Sequence, residues 1–469
     1  MRVRERSAAS SPPHPPPRDA PQRSRPRWML FAPFLGRPPE LTPRQWRVLG
    51  LVSLATLFGQ YDGAIFALAL PQIQAGLAIH EVDVGLLGSI VRMGSLPAFG
   101  VALAADRVGR RRILLLSILA SALLTGATAL APGARSFAAL QFFAHLFTAA
   151  ELLLSVVVIA EELDADARGW GIGALFAIQA CGAGVAALLF PLSEALGLGW
   201  RALYGFGLAP LVLIAGWRRA LPETESYERQ QSERKRLGHS EYALAPMLHL
   251  ARDYPRRFGV VAAAILIGAA AGAAADFLGP KYLQDAHGWA PGQVALLYLG
   301  GGAFGIFGSA YAGRLSDRIG RKPVAVGLGV GVTLLSVGFY NVGGWVLVPL
   351  WIGMIFVTMG SGAVSSTFTA ELFPTSHRST ATGALGVVAT LGGSLGLALE
   401  SVLYGMTGSH WTAVTILLGA TLLTPLIVAV AFPETAGRTL EEISPERGRG
   451  DPALESPPRE ESPSHSAPS

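Results

Sequence analysis

The sequence predicts an all-α polytopic membrane protein with twelve transmembrane helices in two pseudo-symmetric six-helix halves. Three observations predict this fold class. Hydrophobic residues make up 51% of the 469 residues and charged residues only 15%, whereas an ordinary soluble domain has about 25% charged residues. Apolar runs of roughly 20 residues, each long enough to cross a bilayer, recur along the chain. Short motifs of the first half also return in the second half at a nearly constant offset.

The elements follow in a simple order. Residues 1–45 are rich in proline and arginine and predict a disordered cytoplasmic tail, and no apolar segment near Met1 has the form of a cleavable signal peptide. A long polar stretch, 221–256, separates an N-terminal half (46–220) from a C-terminal half (257–433), and residues 434–469 predict a second cytoplasmic tail that is mostly disordered. The twelve apolar spans begin near residues 48, 82, 113, 137, 169, 200, 258, 291, 323, 346, 379 and 412.

Lysine and arginine residues predict the orientation of the spans. If the N-terminus is inside, the short outer loops hold only Arg135, Arg201 and Lys281. The short inner loops then hold the basic runs of DRVGRRR and DRIGRKP. Because cytoplasmic loops carry the excess of lysine and arginine, both termini are expected in the cytoplasm. The expected location is the plasma membrane, or the inner membrane of a Gram-negative cell.

The two halves repeat three motifs at one spacing, which indicates an internal duplication. Duplicated halves are typical of transporters whose substrate site lies between the halves, near the membrane midplane. The matched segments are DRVGRRR (106–112) with DRIGRKP (317–323) at an offset of 211, AEELDADARG (160–169) with AELFPTSHRS (370–379) at 210, and LPETESY (221–227) with FPETAGR (432–438) at 211.

These motifs resemble the major facilitator superfamily, in which the DRxGRR loop joins helices 2 and 3 and helices 8 and 9. The second copy is complete from Gly313 to Lys322, whereas Ala102 stands at the leading glycine position of the first. The segments GWR (199–201), AELFPTSHRSTATG (370–383) and PETAGRTLEEI (433–443) resemble the sugar porter branch most closely.

The resemblance implies a latch of charges on the cytoplasmic side. In this family, ion pairs at these positions hold the inner side shut in the outward-open state and break in the inward-open state. The alternative is that the cations only set the topology. The residues matched to this cytoplasmic gate are Asp106, Arg107, Gly109, Arg110, Glu161, Arg168, Gly313, Asp317, Arg318, Gly320, Arg321, Glu371, Arg378 and Glu434.

Ionisable residues deep in the spans predict the proton-coupling site, because such residues are costly and usually functional. In proton-coupled sugar porters, an aspartate in a YD context on helix 1 binds the proton, and Tyr61-Asp62 matches it. Gln141 stands where those porters have an arginine on helix 4. Arg92 lies at the depth of Asp62, so we expect these two residues to pair. The alternative is that Arg92 snorkels or binds an anionic substrate alone. Glu151 is the competing proton carrier.

Helix 4 carries the main substrate-contact candidates. At 100° per residue, Gln141, His145, Thr148, Leu152 and Ser155 form one stripe, which is expected to face the cavity. His145 is a candidate for binding substrate or relaying protons; the alternative is a hydrogen bond between helices. Gln179 on helix 5 and Arg92 complete the set of substrate-binding candidates. Glu194, Asp276 and Glu400 fall near the outer ends of their spans, where water is expected to reach them.

The expected function is secondary active transport of a small polar organic solute by alternating access, coupled to protons. A sugar, an organic acid or a similar metabolite fits, and helix 7 lacks the glutamine pair of hexose carriers. The alternatives are a proton-driven exporter of drugs or metabolites, or a transporter-like nutrient sensor. An enzyme is not expected, since the sequence has no nucleophile–base pair, phosphate-binding loop or metal-ligand cluster. The expected partners are a small-molecule substrate, protons and the lipid bilayer, with no cofactor, metal or nucleic acid, and the functional unit is expected to be a monomer.

Overall fold

The computed structural model describes residues 38–211, 250, 252–374, 377–438 and 440–443, and within these ranges the regular structure is helical. Most of both expected tails and of the central polar stretch therefore lies outside the described residues. The helices are α1 (Pro43–Leu68), α2 (Leu70–Leu77), α3 (Val84–Met93), α4 (Ala98–Val108), α5 (Arg110–Thr128), α6 (Ala134–Glu162), α7 (Ala165–Ala195), α8 (Gly199–Phe206), α9 (Pro255–Lys281), α10 (Pro291–Ile319), α11 (Arg321–Asn341), α12 (Leu347–Leu372), α13 (Arg378–Thr407), α14 (His410–Ala420), α15 (Leu423–Ala431) and α16 (Leu440–Ile443).

Eleven segments of the described chain are long and apolar enough to cross a membrane. Two of them combine shorter helices: Glu81–Ala105 includes α3 and α4, and His410–Ala431 includes α14 and α15. The sixth expected span begins with α8 and continues beyond residue 211, outside the described residues. Each span begins within about five residues of its predicted start, and the helical membrane fold is confirmed.

The first span begins at Pro43 rather than near residue 48, because a cap precedes the apolar run. The Thr42 side chain accepts a hydrogen bond from the Gln45 backbone N–H, and the Gln45 side chain accepts one from the Thr42 N–H. This capping box satisfies two of the N–H groups that a helix start leaves without partners. Pro43 fits the first helical position because it has no N–H to satisfy.

The second span is interrupted between α3 and α4, and the interruption fixes where Arg92 lies. Residues 94–97 form a turn that ends at Pro97, which cannot continue a helical hydrogen-bond ladder. A Cβ added at Gly94 would lie 2.0 Å from the carbonyl oxygen of Phe142. This position therefore allows the turn to approach α6 closely, and Arg92 lies in the last turn of α3.

The chain divides into two compact units. The first unit comprises Met1–Ser240 together with Ala273–Leu299 and Gly393–Ala413, and the second comprises Glu241–Gly272, Gly300–Gly392 and Val414–Ser469. The first unit thus contains the N-terminal half and two segments of the C-terminal half. Aliphatic side chains of α1, α5, α6 and α7 form a core in the first unit, and α10, α11, α12, α13 and α15 contribute to a core in the second.

Large apolar side chains also lie on the outside of the helices. Leu188, Ile306 and Val430 are 62%, 71% and 78% exposed. Contiguous apolar surface of this kind marks contact with a membrane or a partner. On spans of this length, lipid is the solvent that makes such exposure favourable.

Candidate functional site

The loop between α4 and α5 carries the first copy of the duplicated glycine–arginine motif, DRVGRRR. Gly109 has φ of +118°, a conformation that glycine adopts without the strain of a Cβ. Arg110 begins α5 and forms an ion pair with Glu161 near the end of α6. Arg168 is exposed on the first turn of α7. The side chains of Asp106 and Arg107 lie outside the described part of the chain.

A second ion pair, which the sequence did not suggest, adjoins the first. Arg44 in the first turn of α1 contacts both carboxylate oxygens of Glu162, at 3.0 and 3.1 Å. The Gln45 amide donates to the Glu162 carbonyl oxygen at 2.9 Å. These contacts join the start of α1 to the end of α6, and a two-point arginine–carboxylate contact fixes orientation as well as distance.

The second copy of the motif has a fuller set of contacts. Arg321, the first residue of α11, lies 2.5 Å from Asp317 and 3.0 Å from Glu371. Arg378 instead donates from Nε to the carbonyl oxygen of Ala370, at 2.8 Å. Arginine and carboxylates of the motif therefore meet in both copies, at Arg110–Glu161 and at Arg321–Glu371. Of the remaining matched residues, Gly313 is half-buried and Arg318 is exposed.

Glu434 lies at the N-terminus of α11. Its carboxylate accepts hydrogen bonds from the backbone N–H groups of Arg321 at 2.8 Å and Lys322 at 3.1 Å. Desolvation acts to raise the pKa of Glu434, but hydrogen bonds from four backbone N–H groups outweigh it, and its pKa is lowered. An ionised carboxylate is also favoured by the positive end of the helix dipole. Glu434 thus caps the helix that Arg321 begins.

Asp62 lies within the first unit and is only 2% exposed. Gln141 donates a long hydrogen bond of 3.4 Å to Asp62 Oδ1 and a shorter one of 3.1 Å to Thr128. The His145 Nδ1 atom lies 3.9 Å from Asp62 Oδ2, which accepts no hydrogen bond from a described residue. Asp62, Gln141 and His145 are therefore brought together in the first unit.

The expected pair between Asp62 and Arg92 is wrong. Asp276 on α9 is the carboxylate that acts electrostatically on Arg92, and no contact ion pair of Arg92 occurs among the described residues. The Arg92 Nε atom is buried without a hydrogen-bond partner, and it would lie 2.3 Å from a Cβ added at Gly393. The rotation of α3 directs Arg92 toward α9 and α13 instead of α1.

Asp276 is the functional candidate that sequence reasoning set aside. From the sequence it was placed with Glu194 and Glu400 near the outer ends of their spans, where water was expected to reach it. The structure shows that it is exposed and faces the arginine. The sequence does contain a feature that could have indicated a functional role for Asp276. It is the single charged residue between Arg257 and Lys281, in an otherwise alanine-rich helix.

Glu151 is buried among hydroxyl groups rather than beside a cation. It is 2% exposed, and its Oε2 atom accepts a 3.4 Å hydrogen bond from Ser121 on α5. Ser117 and Ser155 are one turn along their helices from Ser121 and Glu151, and both are fully buried with hydroxyls that lack a described partner. Glu151 therefore lies at the contact between α5 and α6.

The expected cavity-facing stripe of helix 4 packs largely inside the first unit. Gln141 and Ser155 are 0% exposed, and Thr148 contacts α1 at the position where Gly59 leaves room. His145 keeps 24% of its side chain exposed. Small polar residues on membrane helices pack against neighbouring helices as well as lining cavities. Here Gln141, Thr148 and Ser155 pack against neighbouring helices instead of lining a cavity. Gln179 on α7 is half-buried.

A cluster around His410 joins α14 to α13 and to the turn before α3 in the first unit. Its Nδ1 atom lies 2.6 Å from Glu400 and its Nε2 atom 2.9 Å from Glu81. Ionised carboxylates only accept hydrogen bonds, so a positively charged imidazolium fits both contacts. The ring also stacks on Tyr404 at a centroid distance of 4.2 Å. Glu400 was expected to be reached by water, but it is 0% exposed. His410 and the start of α3 at Gly85 lie against its carboxylate.

Lys281 extends this cluster to α9. Its ammonium group donates to Gln74 at 2.6 Å and to Asp285 at 2.5 Å, and it lies 3.2 Å from Glu81. From the sequence, Lys281 was only a sparse outer cation that helped to set orientation. In the structure it is 3% exposed in its side chain and connects α2, α9 and the turn before α3.

Comparisons with known proteins place this geometry in a family. The chain matches the model of the Major Facilitator Superfamily over residues 52–370 and that of the sugar (and other) transporter family over 299–446. A probable 4-methylmuconolactone transporter of Cupriavidus pinatubonensis is 26% identical over 86% of this chain and 94% of its own length. A cis,cis-muconate transport protein of Acinetobacter baylyi is 27% identical over 75% of this chain and 86% of its own.

The fold is also that of a solved transporter. The inward-open xylose transporter from E. coli aligns with a TM-score of 0.68 at 17% identity, over 85% of this chain and 99% of the other. The expected resemblance, the helical fold, the transport function and the absence of an enzymatic class are confirmed by these matches. The chain belongs to the Major Facilitator Superfamily and is a multi-pass membrane transporter of small organic solutes.

Proposed function

We propose that this transporter imports a small organic acid and couples its uptake to protons. The observation that carries the proposal is Arg92. Its guanidinium lies within a membrane span, its Nε atom is buried without a partner, and it has no contact ion pair among the described residues. Since arginine keeps its charge in a protein and a charge within a span requires an anion, a substrate carboxylate fits this position.

The relatives support an acid more than a sugar. One is named for cis,cis-muconate, a carboxylate, and another for 4-methylmuconolactone. The xylose transporter supports only the fold, since its identity to this chain is 17%. The Arg92 guanidinium packs against the α13 backbone at Gly393, and the side chain is only half-buried, so a carboxylate would meet the part of the guanidinium that α13 leaves uncovered.

Proton coupling is proposed to involve Asp62. This carboxylate is buried, has one oxygen without a hydrogen bond from the described chain, and lies 3.9 Å from His145. A buried carboxylate without a cationic partner favours its neutral form, so binding and release of a proton can change its charge. Glu151 is the second candidate, because it is equally buried and also lacks a basic neighbour.

The test uses purified protein in liposomes that hold a pH-sensitive dye. The panel contains cis,cis-muconate, benzoate, xylose and the neutral amide benzamide, each added outside. We expect proton entry with an acid and none with xylose or benzamide. Arg92→Gln should abolish acid uptake, whereas Arg135→Gln, a matched change at an exposed outer arginine, should not.

Asp62→Asn separates proton coupling from binding in the same liposomes. We expect it to lose proton entry and concentrative acid uptake together. If labelled acid entered the wild-type liposomes without any proton movement, the protein would be a facilitator and the proposed proton coupling would be wrong. If xylose were the only compound of the panel to be taken up, the proposal that the substrate is an organic acid would be wrong.

The remaining parts of the proposal concern the whole chain in the cell. We propose that both termini lie in the cytoplasm of a plasma-membrane protein and that a single chain is the functional unit. The distribution of lysine and arginine supports the orientation, and one chain holds Asp62, Arg92 and His145 in one compact unit.

A further inference from the structure

Asp276 and Arg92 form an unusual arrangement of two charges inside the first unit. The Asp276 carboxylate acts on Arg92 electrostatically without forming a contact ion pair. It accepts no hydrogen bond from a described residue, and its surface is exposed. A structural ion pair would be closer and better covered, since two-point contacts at about 2.7–2.9 Å are the stable geometry for arginine and carboxylate.

The surrounding packing holds together the parts of α3 and α9 that carry the two groups. A Cβ added at Gly88, one turn before Arg92, would lie 2.9 Å from the ring of Phe277, the residue after Asp276. Phe277 packs in turn against Phe66 of α1 at a centroid distance of 4.8 Å. The contact between α3 and α9 therefore keeps Arg92 and Asp276 near each other, which agrees with the electrostatic action of each on the other.

We propose that Asp276 is an internal competitor of the substrate carboxylate for Arg92, so that the acid binds when Asp276 carries a proton. This inference rests on the proposed function. It adds Asp276 to the proton-binding residues, a role that neither the sequence analysis nor the proposed function gave to it. Asp276 acts as a coupling and specificity residue, whereas Asp62 serves translocation.

The physical reason is that one cation cannot neutralise two anions that lie side by side. With Asp276 ionised, an entering carboxylate meets an arginine that is already partly neutralised and a second negative charge beside it. With Asp276 protonated, Arg92 has lost its counter-charge and the substrate carboxylate replaces it. Substrate binding and proton binding then favour each other by the same factor, as linkage requires.

The charges and protons balance in this scheme. Before binding, Arg92 and Asp276 together carry no net charge. Binding adds one carboxylate anion and one proton, which joins an Asp276 oxygen, so the site again carries no net charge. One proton is therefore taken up for each carboxylate bound, and release on the other side returns both.

The other titratable groups near this pair are accounted for. His145 on α6 is a further ionisable group on which Arg92 acts, and it lies beside Asp62. Lys281 lies more than one turn along α9 and is held by Gln74, Glu81 and Asp285. Arg92 is thus the charge that Asp276 faces.

The experiment measures binding by calorimetry on the full-length purified protein, with cis,cis-muconate and benzoate as probes. Titrations in two buffers of different ionisation enthalpy give the number of protons taken up per acid bound. We expect about one proton in the wild type, and an apparent Kd that rises about tenfold per pH unit above the titration of Asp276. In Asp276→Asn, we expect binding to persist with no proton uptake and a Kd independent of pH.

Three further variants distinguish a coupling role from a structural one. Asp276→Glu should restore proton uptake on binding. Asp62→Asn should keep it, because its defect lies in translocation. Glu194→Gln, a carboxyl at the outer end of α7 without a described partner for its Oε1 atom, should behave as the wild type.

Each outcome is decisive. Equal proton uptake in the wild type and in Asp276→Asn would overturn this inference and leave the proposed organic acid standing. Proton uptake that is lost in Asp62→Asn but kept in Asp276→Asn would do the same and return the coupling to Asp62. If neither acid binds the wild type, the proposed function fails, and this inference fails with it.

Discussion

Gly109 and Gly320 occupy the same position in the two copies of the glycine–arginine motif, DRVGRRR and DRIGRKP. Both glycines adopt positive φ angles, +118° and +111°. The ψ angles are +130° and +150°, a region that is almost restricted to glycine. In both copies the glycine ends the hydrogen-bond ladder of one span and starts the next helix with an arginine. The motif therefore requires glycine for its backbone, independently of any role of its charges.

Gly320→Ala should destabilise the protein. The new Cβ would be strained at φ +111° and would lie 2.6 Å from Glu434 Oε2, which would displace the cap of α11. We expect a loss of about 1–3 kcal/mol, measured as a lower midpoint of thermal unfolding in detergent. Gly313→Ala is the matched control, because nothing lies within 4 Å of its Cβ position. Equal midpoints for the two variants would contradict this account of Gly320.

At the scale of elements, close helix contacts depend on glycines at particular turns. Gly182 on α7 approaches α1 so closely that an added Cβ would lie 2.0 Å from the Leu57 carbonyl oxygen. Tyr61 lies on the same stretch of α1 and donates its hydroxyl to the Leu203 carbonyl oxygen. The contact between α1 and α7 thus positions the turn of α1 that carries Asp62.

Gly182→Ala should separate α1 from α7 and shift Asp62. We expect a loss of about 1–3 kcal/mol in the free energy of unfolding, as for other overpacked contacts, and reduced transport. Gly173→Ala on the same helix has open space at its Cβ position and should cost nothing. Unfolding in denaturant and uptake into liposomes measure the two effects. Normal stability of Gly182→Ala would show that α1 and α7 separate without cost.

The cluster around His410 gives a second prediction at this scale. His410→Leu removes the partner of Glu400, which is 0% exposed, and leaves a buried carboxylate unpaired. We expect a loss of about 3–5 kcal/mol, the usual effect of breaking a buried pair, seen as a lower unfolding midpoint. The double variant His410→Leu with Glu400→Leu should recover much of the loss. Glu81→Gln should cost little, because the Glu81 side chain is 45% exposed. A double variant no more stable than His410→Leu alone would argue against a specific pair.

At the scale of the whole molecule, the proposed orientation makes a direct prediction. With Cys181 replaced by serine, Leu130→Cys and Ser466→Cys give single-cysteine proteins. Leu130 follows α5 and is 82% exposed, so we expect a membrane-impermeant maleimide to label it in intact cells. Ser466, in the C-terminal tail, should be labelled only after the membrane is permeabilised. The reverse pattern would invert the topology.

The sequence predicted the helices well because lipid imposes a simple requirement on each one separately. A span must be apolar over its length and must satisfy its own backbone hydrogen bonds, and both properties can be read locally. The largest difference in a start occurs at α1, where the Thr42 cap precedes the apolar run, and the break at Pro97 interrupts the second span without shifting its start. The glycine–arginine loops were found for the same reason, since their pattern is contiguous.

The sequence by itself thus determined the membrane fold, the duplication and the depth of Asp62, Arg92 and His145. Only the tertiary structure decided which residues those side chains face. It directed Arg92 to Asp276 rather than Asp62, buried Gln141 and Ser155 against neighbouring helices, and enclosed Glu400 beneath His410. Depth depends on position along one helix, whereas partners depend on how each helix is rotated. That rotation is set by close contacts such as Gly94 with Phe142 and Gly182 with Leu57, between residues far apart in the chain.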